Sequence, residues 1–224
     1  NMSGLTITTA PQNEPLDAAE TISYLRIDSG VDTTLIDNLI QAARFWAEDY
    51  TNRTLLTTVF TLSLDAIGEV DTPLKEGFHT GYSDTPRVNY IELPRSPVQS
   101  VTSIKSFSDD NTATTLAASN YFVDTVRVPA RVVLRDGGTW PTDLRNANGI
   151  EVLYTAGYGD ARASVPEPIR VAMLEYIAHL YEHRGDDEGR ALNPPALIKS
   201  LLQPYIIMRY GVSPFNGGAY IAYR

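Results

Sequence analysis

Residues 33–50 read Thr33-Thr34-Leu35-Ile36-Asp37-Asn38-Leu39-Ile40-Gln41-Ala42-Ala43-Arg44-Phe45-Trp46-Ala47-Glu48-Asp49-Tyr50. Within them Leu35, Ile36, Leu39, Ile40, Ala43, Trp46, Ala47 and Tyr50 recur at steps of three and four, the period of a helix with one broad apolar face over about five turns. Arg44, Glu48 and Asp49 fall on its other faces, as solvated residues should, and Asp32 or Thr33 supplies the cap. Just upstream, Asp17 caps a shorter helix whose apolar side is Ala18, Ile22 and Leu25. It ends near Asp28-Ser29-Gly30, where Gly30 suits a left-handed exit. A link this short packs the two helices as a hairpin. Residues 1–15, rich in Thr, Pro and Asn, read as an extended arm or a frayed terminus.

Beyond Leu55 the period changes from helical to that of strands. Phe60, Leu62, Leu64 and Ala66 alternate with Thr61, Ser63 and Asp65, one buried face of a strand. Further strands are predicted at Tyr90 to Leu93, Val98 to Phe107, Tyr121 to Thr125, Arg131 to Leu134 and Gly149 to Tyr154. Turn formers bound each: Pro94 and Pro97, Asp109-Asp110-Asn111, Pro129, Gly137-Gly138 and Asn146 to Gly149. Residues 68–89, with Pro73, Gly77, Gly81 and Pro86 and no clear period, read as a long loop. After the strand-to-helix turn Thr155-Ala156-Gly157-Tyr158-Gly159-Asp160 a third helix begins. Pro166 and Pro168 occupy its first turn, and Ile169, Ala172, Met173, Tyr176, Ile177 and Leu180 line its apolar side. Pro194-Pro195 leads into a short fourth helix, Ala196 to Leu202, stopped by Pro204.

The fold class is therefore α+β: a small helical bundle built from both ends of the chain, an inserted antiparallel β unit and an extended C-terminal tail. The expected divisions are an arm over 1–15, a helical core over 16–54 and 156–203, a β insertion over 55–155 and a tail over 204–224.

The 224 residues, 43% hydrophobic and 20% charged, suffice for a core without covalent staples. The absence of cysteine excludes disulfides, thiolate metal sites and a Cys nucleophile. No signal peptide and no apolar run near 18 residues is present, so a soluble chain is expected. Asn1 before Met2 reads as an extraneous first residue.

Charge is unevenly placed. Residues 1–188 carry 14 Lys and Arg against all 27 Asp and Glu, a net −13, while residues 189–224 carry four basic residues and no acid, a net +4. An acidic body does not attract a phosphate backbone, so specific nucleic-acid binding by the globular part is not expected.

The sharpest enzymatic pattern is His179-Leu180-Tyr181-Glu182-His183, the H-x-x-E-H of inverted zinc-protease helices, in which two His one turn apart bind zinc and Glu is the general base. Its surroundings do not support it. A catalytic zinc needs a third protein ligand, and after Glu188 the chain has no Asp, Glu or His; downstream only Asp186, Asp187 and Glu188 remain. A helix C-terminus where His183 and Arg184 complement the dipole explains the same residues. No nucleophile elbow, Walker loop or dinucleotide fingerprint occurs, and Asp109-Asp110 lacks the spaced ligands of a calcium loop. No catalytic residue, cofactor or metal is assigned. Zinc hydrolysis through His179, Glu182 and His183 is kept as the enzymatic alternative.

The tail is the more informative feature. Tyr205, Tyr210, Phe215 and Tyr220 stand five residues apart, followed by Tyr223 and Arg224 and interleaved with Arg209 and several Gly and Pro. Five is neither the helical nor the strand period. Tyr and Arg anchor interfaces by burying area while keeping a polar handle, so the segment reads as a docking peptide, with a tail folded back on its own core as the alternative.

Three blocks then resemble the head-tail connector (adaptor, or neck ring) proteins of tailed bacteriophages and phage-like gene transfer particles. The first joins Leu25-Arg26-Ile27-Asp28, Leu35-Ile36-Asp37-Asn38-Leu39-Ile40-Gln41-Ala42-Ala43-Arg44 and Glu48-Asp49-Tyr50-Thr51-Asn52-Arg53. The second is Glu92-Leu93-Pro94-Arg95-Ser96-Pro97-Val98-Gln99-Ser100-Val101. The third is Tyr154-Thr155-Ala156-Gly157-Tyr158-Gly159-Asp160 with Val165-Pro166-Glu167-Pro168-Ile169-Arg170. Asn52 replaces the usual Gly of the first block's turn and tolerates the same left-handed geometry. The resemblance implies a non-enzymatic homo-oligomeric ring of twelve copies in the virion neck, seated under the capsid portal and assembled in the host cytoplasm. Genomic DNA would pass through its lumen without specific binding, with no membrane involved. A tail stopper or tail-terminator protein would follow below, and Tyr205, Arg209, Tyr210, Phe215, Tyr220, Tyr223 and Arg224 would dock on the portal. A tail-completion or stopper protein of similar shape, one layer lower in the neck, is the alternative.

Overall fold

A computed structural model describes residues 4–28, 33–67, 90–183 and 194–207. The loop expected over 68–89 lies outside them, as do Gly30, Asp32, Asp186, Asp187 and Glu188. The described elements run β1 (Leu5–Thr9), α1 (Ala18–Leu25), α2 (Thr33–Thr51), β2 (Thr58–Leu64), β3 (Tyr90–Leu93), β4 (Val98–Phe107), β5 (Ala113–Thr115), β6 (Tyr121–Asp124), β7 (Ala130–Leu134), β8 (Ile150–Ala156), α3 (Glu167–Glu182) and α4 (Ala196–Leu202). The fold is α+β, with antiparallel sheets inserted between helices from the two ends of the chain.

The helices share one core. Ile36, Ile40, Ala43 and Ala47 of α2 meet Ile169, Ala172, Met173 and Ile177 of α3, with Leu16, Leu55, Leu56, Ile198 and Leu202 closing around them. Deleting one such large buried side chain costs about 2–5 kcal/mol. Asp17 caps α1 as its sequence predicts, its carboxylate accepting from the Glu20 N–H at 2.6 Å. At the exit of α1, Arg26 takes a left-handed position at φ 53°. Its N–H donates to Ser23 O and that of Ile27 to Ile22 O, so the helix closes four residues before Gly30.

The β unit has its own core. Five strands form one sheet in the order β1-β2-β8-β4-β5, and three form a second in the order β3-β7-β6, every pair antiparallel. In the central strand β8, Ile150, Val152, Tyr154 and Ala156 are buried and the residues between them are not, the two-residue period of a strand with one covered face. Phe60, Leu62, Ile91, Leu93, Ile104 and Val132 pack with them between the two sheets.

Two strands have no clear signature in the sequence. Leu5–Thr9 of the arm is the edge strand β1, hydrogen-bonded to β2 although four of its five residues are exposed. Ala113–Thr115 is the short edge strand β5, fully exposed. Both are held by backbone pairing with little apolar burial, which hydrophobic periodicity does not detect.

Candidate functional site

The three sequence blocks, far apart along the chain, converge on one junction between the helical core and the β unit. The first block ends α2 at Thr51, and Asn52 adopts φ 55°, the left-handed turn anticipated for it. The Arg53 N–H then donates back to Glu48 O at 3.1 Å. From the second block, Arg95, itself left-handed at φ 62°, donates from Nη1 to the same Glu48 O at 2.9 Å and from Nη2 to Asp49 Oδ1 at 2.6 Å. The Thr54 N–H bonds Ser96 O, and the Tyr154 hydroxyl donates to Pro94 O at 2.7 Å.

The third block closes the junction from the other side. The N–H groups of Gly157 and Tyr158 donate to Pro97 O and Leu55 O. Gly157 sits at φ 128°, and a Cβ there would collide with the backbone of Leu56, so the position requires glycine. The Gly157–Gly159 turn is thus a backbone-to-backbone joint, in keeping with its reading as a strand-to-helix turn.

Of the charged residues expected in solvent, Arg44 is buried and Glu48 is half-buried at this junction. Arg44 is 6% exposed; its Nε and Nη2 donate to Glu14 and its Nη1 to Glu48. The sequence reading misplaced it because Glu14 lies 30 residues away on the arm, and a helical pattern shows only neighbours. Burial pushes the Glu48 carboxyl above its ordinary pKa, against the Leu55 N–H, Arg44 and Arg95, which favour the anion. Arg44 is held protonated by Glu14 and Glu48 despite its own burial.

The tail leaves from the same place. Tyr205 packs against the helical core, its carbonyl accepting from Arg53 Nε at 2.6 Å, and the Ile207 N–H donates to Thr51 O at 3.0 Å. Tyr158 lies beside this pair; burial raises its hydroxyl pKa, with Arg53 opposing. Of the residues expected to dock on a partner, Tyr205 is therefore half-buried against its own chain. Arg209, Tyr210, Phe215, Tyr220, Tyr223 and Arg224 lie outside the described residues.

The H-x-x-E-H residues sit at the end of α3. His179 and His183 face each other with ring centroids 4.5 Å apart, His183 caps the helix, and its Nδ1 lies 2.8 Å from His179 O. Among the described residues no group of three or more His, Asp or Glu is placed to hold a metal, and no helix is long and apolar enough to cross a membrane. Asp110 closes the β4–β5 turn: hydrogen bonds from Ser108 and Thr112 keep its carboxyl below the usual range. Trp46 stacks between Tyr50 and Tyr176 at 5.2 and 4.4 Å, and Trp140 packs on the β core.

What the sequence reading did not single out is exposed apolar surface. Phe45 on α2, Phe122 on β6 and Val126 and Val128 in the β6–β7 turn are large apolar side chains in solvent. Phe45 is detectable on a helical wheel, since it falls opposite Ile40, Ala43 and Ala47.

The class that this architecture defines is an α+β chain with a helical core, antiparallel sheets and a polar junction at which residues 203–207 are held. No protein-family model and no curated protein matches the sequence. Solved structures do share the fold. A chain in the virion of a native gene transfer agent (GTA) particle superposes with a TM-score of 0.70 at 21% identity, over 94% of this chain and 98% of that one. Chains in the neck of an empty GTA particle computed with C6 symmetry (TM-score 0.69, 23% identity) and of a native GTA particle computed with C12 symmetry (0.65, 21%) match over the same 94% and 98%.

Proposed function

We propose that this chain is a non-enzymatic head-to-tail adaptor of a phage-like particle, a homo-oligomeric ring in the virion neck beneath the portal that continues the DNA channel toward the tail. The observation that carries the reading is the correspondence of fold over nearly the full length of both chains with components of GTA particle structures, two of them necks computed with C6 and C12 symmetry. Twelve copies is the ring size consistent with these.

The chain's own chemistry supports it. A body of net −13 lets DNA pass a lumen without adhering to it. Tyr205 and Ile207 fix where the tail leaves the subunit, and the basic, acid-free residues 208–224 that follow dock on the portal. A stopper or tail-terminator protein binds below.

Deleting residues 208–224 keeps the contacts of Tyr205 with Arg53 and of Ile207 with Thr51. The truncated chain is expected to fold with unchanged stability and to fail to join portal-bearing capsids. Normal attachment would contradict the docking role. Loss of tail joining with portal attachment intact would instead favour a tail-completion protein one layer lower.

A further inference from the structure

At the β6–β7 turn and on the outer face of α2, apolar side chains stand in solvent beside a charge that has no counter-ion among the described residues. At the turn, Val126 is 95% exposed, Val128 47%, and Arg127 projects between them. Among the described residues the Arg127 guanidinium has no acidic partner, because Asp124, the nearest acid in sequence, holds Arg131 at 3.0 Å and caps the Arg127 backbone N–H. On α2, at 3.6 residues per turn, Phe45 falls near the centre of the solvent arc. Asn38 and Gln41 flank it, Ala42 lies at one edge and Asp37 at the other. Phe45 is 51% exposed, and the Arg44 guanidinium lies over its ring at 4.4 Å. The exposed residues of this arc include Asp37 and Asp49 and no base, and Asp37 is unpaired among the described residues.

We propose that in the ring the Val126-Arg127-Val128 tip of one copy seats on the Phe45 face of α2 in the next copy. The valines cover Phe45 and Ala42, and Arg127 pairs with Asp37. The inference rests on the ring reading above. Its occupant is a second copy because the two patches are complementary in charge and both apolar, and every copy carries one of each. Unlike patches that match make a head-to-tail contact, the kind that repeats around a closed ring. The acidic body makes such a contact necessary: copies of net charge −9 repel, and a cation presented between two valines opposes that repulsion where the surfaces meet.

Because the chain has no cysteine, disulfide trapping is clean. Particles assembled with the chain carrying both Val126→Cys and Phe45→Cys are oxidised and run on a non-reducing gel. The expected result is a ladder of covalent multimers, with a single cross-linked dimer when the two single variants are mixed and none from either alone. In a second arm, Arg127→Asp lowers incorporation into particles by about tenfold or more, and adding Asp37→Arg to the same chain restores it. Intact rings without cross-links, an intrachain disulfide at monomer size, or no restoration by Asp37→Arg would each overturn the proposed contact while leaving the ring reading standing. Wild-type particles with no ring of this chain would overturn the ring reading itself, and the contact with it.

Discussion

The junction around Glu48 and the turn at Val126 are opposite solutions to the same problem of holding parts together. At the junction, backbone from three distant segments is brought together, and the charged groups there are paired whether buried or half-exposed: Arg44 with Glu14 and Glu48, Arg95 with Glu48 O and Asp49, Arg53 with Tyr205 O. At the turn, two valines and an arginine stand in water, the arginine with no ion-pair partner among the described residues. The first arrangement makes a subunit; the second leaves surface for something outside it. If the proposed ring contact forms, stability and assembly are written in different residues and separate on mutation.

The largest expected effect is at the junction. Arg44→Ala leaves the Glu14 and Glu48 carboxylates facing each other without their shared cation, and breaking a buried pair in this way costs about 3–5 kcal/mol. Urea denaturation should register that loss; a change under about 1 kcal/mol would show that the network is not a source of stability. Next is Asn52, whose φ of 55° penalises any residue with an ordinary Cβ. Asn52→Ala is expected to destabilise by about 1 kcal/mol and Asn52→Gly to be within a few tenths of the parent. Equal effects of the two would mean that the side chain matters here and the backbone does not.

At the turn the expectation reverses. Val126→Ser should shift unfolding stability by no more than about 0.5 kcal/mol, as for an exposed side chain, while reducing assembly into particles. A clear loss of stability would place Val126 in the fold and erase the contrast. The smallest effect is electrostatic. Desolvation and its hydrogen bond to Glu175 raise the Tyr24 hydroxyl to about 12. A raised pKa means that this contribution to stability is fully present below the ordinary value near 10 and is lost as pH rises through about 12. Difference titration of Tyr24→Phe against the parent, followed by absorbance, should show one tyrosine ionising late, and Glu175→Gln should bring it earlier.

The same contrast explains what could be read in the sequence. Local signals were legible: the Asp17 cap, the apolar face of α2 through Ile36, Ile40, Ala43 and Ala47, the alternation of Phe60 and Leu62 in β2 and the left-handed turn at Asn52 all depend on residues within a few positions of one another. Arg44 was not, because its partner Glu14 is remote, and β1 was not, because backbone pairing to β2 holds it with most of its side chains exposed. The junction as a unit was invisible for the same reason, although the blocks that build it were the ones that resembled connector proteins. Of the docking tail, only its root at Tyr205 and Ile207 falls within the described residues.

A reconstruction of the neck of assembled particles tests the central claim most directly. The account predicts this chain as a closed ring between portal and tail, with residues 208–224 of each copy against the portal. A neck without this chain, or a ring of it that touches the tail and not the portal, would contradict the account.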